Sequence, residues 1–245
     1  MIKQALEYIV GLNAPTMQDV GDNLYSDKPL YQIDEGKRAD PIGTTTLTSI
    51  VDYIKSASES EIPSKAFIQI VSPTEVRLIS HLDIDRKREV LIKANAQLPN
   101  LQIDRYIDNE NFIIMLQSMF VQNSMDDNDL TDIDLLQKVV GNVVDDTIQT
   151  YMDDGISQQA AIKSGITTKE TVILPSPATL RPYRTFLDVM QPASKFVFRM
   201  KKGMNGPTSA LFEADGGAWK NVAMDNIKRY FEEQLEEYNN ITVIC

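Results

Sequence analysis

At 245 residues, 42% hydrophobic and 24% charged, the chain has an ordinary globular composition and enough length for one large domain or two modest ones. No segment approaches the roughly 18 uninterrupted apolar residues of a membrane span, and a single cysteine, Cys245, excludes an intramolecular disulfide or a multi-cysteine zinc site, in keeping with a reducing cytoplasm. Thirty-five acidic against 24 basic residues leave a net charge of −11; a field of that sign repels phosphate backbones, so nucleic-acid binding is disfavoured.

Ile2, Leu6, Ile9 and Val10 fall at helical spacing and Asn13, Ala14 and Pro15 end the pattern, so a short helix is expected over residues 2–12. Glu7 interrupts its apolar run and no small-residue cleavage pattern follows, which argues against an export signal. Residues 16–41 are rich in Asp, Gly and Pro, with one strand expected at "PLYQI", and read as an extended arm of the kind that contacts partners. Thr44 to Thr46 offer capping hydroxyls to a helix with Leu47, Ile50, Val51 and Ile54 on one face.

The runs "AFIQIV" and "EVRLISHL" flank "SPT" and predict a β-hairpin, with "REVLIKANA" as a third strand. In "DNENFIIMLQSMFVQ" the period changes: Asp108 or Asn109 caps a helix carrying Phe112, Ile113, Leu116, Met119 and Phe120. "TDIDLLQKVVGNVV" predicts another, capped by Thr131 or Asp129. Asp154-Gly155 then signals a hairpin, and "TVILP", "RTFLDVM", "KFVFRMKK" and "SALFEA" have the rhythm of an antiparallel meander. A long helix from Trp219 and a last strand, "ITVIC", close the chain. The expected class is α+β, with mostly antiparallel sheets, helices packed on one face, an N-terminal helix and an extended arm. Residues 1–143 form a helix-rich part and 144–245 a sheet with a long helix; no flexible linker separates them, so one continuous domain is equally allowed.

Candidate chemistry centres on "LFEADGGAWKNVA". A helix N-terminus with glycines before it presents free amides to an anion, so Gly216, Gly217 and Lys220, together with Arg199, are candidate anion-binding residues. The stretch lacks the spacing of a P-loop and of the dinucleotide fingerprint, and Asp215 puts a negative charge at the turn, which favours a plain strand-to-helix bend over an anion site. His81, the one histidine, stands two residues from Asp83 and four from Asp85, a spacing that puts all three on one side of a strand and makes them a weak candidate for a divalent metal. "DDNDLTDID" lacks the glycine and terminal glutamate of a calcium loop. With one histidine and a terminal cysteine the usual nucleophile–base systems lack material, and no catalytic residue and no cofactor are expected. The short basic runs "DRKRE" and "FRMKKG" read as solvated strand ends or turns.

"LPSPATLRPYRTFLDVMQPASKFVFRM", following "ENFIIMLQSMF" and "VRLISHLDIDRKREVLIKANAQLPN", resembles in layout the phage and prophage protein family typified by YfdQ, over about Thr46 to Met200. The resemblance implies a phage-encoded accessory protein acting in the host cytoplasm, and it carries over no catalytic residues. Three functions stay open: a non-enzymatic protein that assembles with itself into a closed homo-oligomer; a module sequestering a small anion or nucleotide against host defence, using Arg181, Arg184, Arg199, Lys201 and Lys202 with the glycine turn; and an accessory to phage DNA replication or recombination, against which the acidity argues.

Overall fold

The computed structural model describes residues 2–11, 14–21, 23–29, 39–56, 65–83, 86–122, 132–142, 159–164, 168–173, 176–204 and 206–245. The chain divides into two compact units, Met1–Ala39 and Asp40–Cys245. In the first, helix α1 (Ile2–Gly11) is followed by an antiparallel pair, β1 (Met17–Val20) and β2 (Asn23–Ser26). Gly21 turns the chain at φ 65°, which glycine adopts without steric cost, and the Asp27 carboxylate accepts from the Thr16 amide at 2.7 Å to close the open end. The extended arm expected over residues 16–41 is therefore a hairpin at Met17–Ser26. Its strands are four residues long and include Gln18, Asp19 and Asn23, too short and too polar to show alternation. Except for Pro29, the strand expected at "PLYQI" lies outside the described residues.

The second unit runs through β3 (Ile42–Thr44), α2 (Thr48–Ser56), β4 (Ala66–Ser72), β5 (Glu75–Ser80), β6 (Val90–Asn95), β7 (Ile107–Asp108), α3 (Asn109–Met119) and α4 (Asp132–Asn142). It continues with β8 (Gln159–Ser164), β9 (Thr168–Ile173), β10 (Ala178–Leu180), β11 (Ser194–Gly203), β12 (Gly206–Glu213), α5 (Trp219–Gln234) and β13 (Ile241–Ile244). The architecture is α+β. The expected hairpin is β4–β5, turning at Pro73 and Thr74, and β6 pairs antiparallel with β5. Parallel pairings add β13 to β4 and β3 to β6, giving a mixed sheet in the order β13-β4-β5-β6-β3. The alternate residues Ile68, Ile70, Val76, Leu78 and Ile92 meet the buried stripe of α2 and Ile227 and Phe231 of α5 in one core.

A second, wholly antiparallel sheet has the order β10-β11-β12-β7. Phe196, Phe198 and Met200 alternate into its core against α3 and α4, where Phe112 packs 5.6 Å from Phe198 and Phe120 6.4 Å from Phe196 between ring centroids. Asp108 caps α3 as expected: its carboxylate accepts from the Asn111 amide at 3.0 Å. Both larger sheets draw strands from either side of residue 143, since β13 joins β4 and β7 joins β12. The hairpin expected at Asp154-Gly155 and the caps expected at Thr131 and Asp129 lie outside the described residues, although β8 and β9 do pair antiparallel. Among the described residues no helix is long and apolar enough to cross a membrane.

"RTFLDVM" is not a strand. Thr185 and Phe186 are both fully buried although adjacent, which a two-sided strand does not allow in simple alternation. Phe186 enters the core under the five-stranded sheet, while Phe196 lies in the core of the four-stranded one. The buried Gln191 side chain replaces a strand partner: its Oε1 accepts from the Arg184 and Thr185 amides at 3.0 and 3.2 Å, and its Nε2 donates to the Phe186 carbonyl at 3.0 Å.

Candidate functional site

The glycine turn joins β12 to α5. Gly216 and Gly217 stand at φ 63° and 81°, the left-handed region in which a side chain is strained. The position an incoming anion would take is held by the chain's own Asp215. One carboxylate oxygen accepts from the Gly217 amide at 3.0 Å and the other from the Ser194 hydroxyl. Burial opposes charge on Asp215, but the hydrogen bonds from Ser194 and Gly217 and the nearby Arg184 outweigh it, and the carboxyl titrates below its ordinary range.

Arg184 organises this centre. Only 7% exposed, it pairs through Nη1 with Glu213 at 2.5 Å and donates through Nη2 to the Ser194 hydroxyl, which passes its own proton bond to Asp215. The guanidinium lies 4.0 Å over the Trp219 ring and 5.6 Å from that of Phe196. Burial pulls its pKa down, against the upward pull of Glu213 and Asp215. Two carboxylates thus surround one buried cation, so a phosphate would enter as a third negative charge. Chemically, the arrangement locks the start of α5 to β11 and to the segment between β10 and β11.

The structure brings together Gly216, Gly217 and Lys220, whose side chain runs past Gly217, and leaves Arg199 apart. Arg199 pairs with Ala210 along β11–β12, three positions from the Phe196–Glu213 pair, and donates to the Phe198 carbonyl at 3.0 Å. The other cations of the sequestering reading do not converge: Arg184 is buried in its own centre, Lys201 lies 3.8 Å over the Tyr106 ring, and Arg181 and Lys202 are exposed at other points of the chain. His81 stacks on Phe67 at 6.0 Å, Asp83 accepts from the Lys87 amide at 2.7 Å in a turn rather than along a strand, and Asp85 lies outside the described residues.

No family model, no curated protein and no solved structure matches the chain. What it offers for contact is therefore read from its own surfaces.

Every described side chain in the first unit is exposed except the half-buried Lys28. Ile2, Leu6 and Ile9, at i, i+4 and i+7, are 80%, 56% and 61% exposed and form one apolar stripe on α1; on the hairpin Met17, Val20, Leu24 and Tyr25 are exposed as well. The periodicity of α1 was legible in the sequence, but its exposure was not. The Arg184 centre is not legible in the sequence either, because its members come from four places in the chain; the acidic residue before the double glycine and the tryptophan after it are its local signals.

Proposed function

We propose that the chain is a non-enzymatic accessory protein that works as a closed assembly of its own copies, joined through the N-terminal helix and hairpin. The observation that carries this reading is the exposed stripe of Ile2, Leu6 and Ile9, in a unit with no fully buried described side chain. A ten-residue helix is marginal in water by itself and so is a two-stranded hairpin, so both gain their order from a neighbour, and exposed apolar patches mark where neighbours bind. The most organised polar cluster, around Arg184, has its hydrogen bonds and ion pair made within the chain, which suits a structural role. A phage origin and the host cytoplasm as its place of action rest on the resemblance of residues 46–200 to the family typified by YfdQ.

Light scattering on the full chain tests the proposal. A mass of several chains for the wild type, reduced in Leu6→Glu with unchanged circular dichroism, is the expected result. A wild type that runs as a single chain overturns it.

A further inference from the structure

A cleft of about 580 Å³ lies beside α3 in the second unit, bounded by Tyr106, Asp108, Asn111, Ile114, Met115 and Met119 among others. We infer that this cleft is the seat of α1 from a second copy, so that copies join head to tail by setting the Ile2–Leu6–Ile9 stripe into it. The inference rests on the self-assembly reading and names its surface.

Four observations support the match. The cleft's α3 residues, Asn111, Ile114, Met115 and Met119, stand at i, i+3, i+4 and i+8 and so line one side over about 12 Å, while α1 is about 15 Å long, so the two elements are of similar reach. Ile114 is 51% exposed there, an apolar side chain in the middle of a helix with nothing over half its surface, and it complements anchors spaced as helix-in-groove recognition requires. Met119, partly exposed beside the buried Met115, is flexible and polarisable and adapts to an incoming helix. Lys3, at the rim of the stripe, carries the charge that Asp108 at the cleft's end attracts. Since stripe and cleft are different surfaces, the contact is heterologous, and a rotation that closes yields a ring.

Two variants, Leu6→Glu and Ile114→Glu, and their mixture test this by light scattering. Each spoils one surface and leaves the other. Each alone is expected to run as a single chain, and the mixture to recover a two-chain species, because an intact helix on one copy meets an intact cleft on the other. Should Leu6→Glu dissociate while Ile114→Glu keeps the wild-type mass, the cleft assignment falls and self-assembly through the helix stands. Singles that dissociate but never complement overturn the head-to-tail pairing, and a wild type of single-chain mass overturns both. As a second measurement independent of the introduced charge, Leu6→Cys and Ile114→Cys, each in a Cys245→Ser background, are mixed under mild oxidation. A disulfide-linked pair is expected, and its absence counts against the pairing.

Discussion

Helices α1 and α2 are of similar length, ten and nine residues, and each carries an apolar stripe. Their fates are opposite. Ile50, Val51 and Ile54 of α2 are buried under the five-stranded sheet, whereas Ile2, Leu6 and Ile9 of α1 are exposed. Amphipathic spacing fixes which face of a helix seeks cover; what supplies the cover is decided elsewhere in the chain. For α2 the cover is Ile68, Leu78 and their neighbours, and for α1 a second copy is the proposed source. The contrast is open to measurement, because truncating a covered side chain costs folding stability while truncating an exposed one costs assembly.

The largest effect is expected in the core of the four-stranded sheet. Phe198 is 1% exposed and packs on Phe112, so Phe198→Ala lowers the unfolding free energy by about 3–5 kcal/mol in a urea titration. Leu6→Ala, by contrast, changes the stability of a dissociated chain by no more than about 0.5 kcal/mol. A cost near 2 kcal/mol at Leu6 in that state would break the comparison, since it would mean that the stripe is covered within one chain.

Next comes Arg184. Arg184→Ala leaves Glu213 and Asp215 together without their cation, and breaking a largely buried pair of this kind costs about 3 kcal/mol. In a double-mutant cycle with Glu213→Gln, the two losses are expected not to add, because they share one network. Additive losses would show that the centre contributes through packing on Trp219 alone.

The unequal legibility of these features has a physical basis. The β4–β5 hairpin, the Asp108 cap and the α5 helix were readable because each rests on neighbours in sequence: a tight turn, a side chain three residues from its amide, a 3.6-residue period. The segment of Arg184 to Met190 has the composition of a strand but is none, because Gln191, through its side chain, supplies the backbone partners that a sheet would otherwise give. Strands β3 and β7, of three and two residues, exist only through pairing with β6 and β12. The candidate site divides the same way: the glycine bend was legible, while the carboxylate that fills it depends on Ser194, 21 residues away in sequence.

A smaller effect sharpens the account of α2. Its first amides are capped from 140 residues away: the Asp188 carboxylate accepts from the Leu47 and Thr48 amides at 3.2 and 3.0 Å and from the Thr48 hydroxyl at 2.6 Å. Asp188→Ala is expected to lower stability by about 1–2 kcal/mol, as loss of an N-cap does. Asp188 belongs neither to the α1 stripe nor to the residues bounding the α3 cleft, so native mass should stay unchanged in this variant. A change in mass would tie α2's cap to the assembly surface.

The smallest effect is read with acid. Glu75, whose hydrogen bonds from Arg77 and Lys93 prevail, Asp108, held by the Asn111 amide, and Asp215 all titrate below their ordinary values in the folded chain. A depressed folded pKa means that the unfolded chain binds protons first. The stabilisation is complete above the unfolded carboxyl values, about 4, and is lost as pH falls from there through the folded values. The urea midpoint is therefore expected to be insensitive to these three groups between pH 7 and 5 and to fall below about pH 4. Asp215→Asn keeps one acceptor oxygen for the Gly217 amide, sets an amide NH2 against the Ser194 hydroxyl and removes the titration, so its midpoint, lower at neutral pH, should decline less steeply in acid than the wild type's. Equal slopes would show that the Asp215 charge is screened at the turn, and would move the acid response to Glu75 and Asp108.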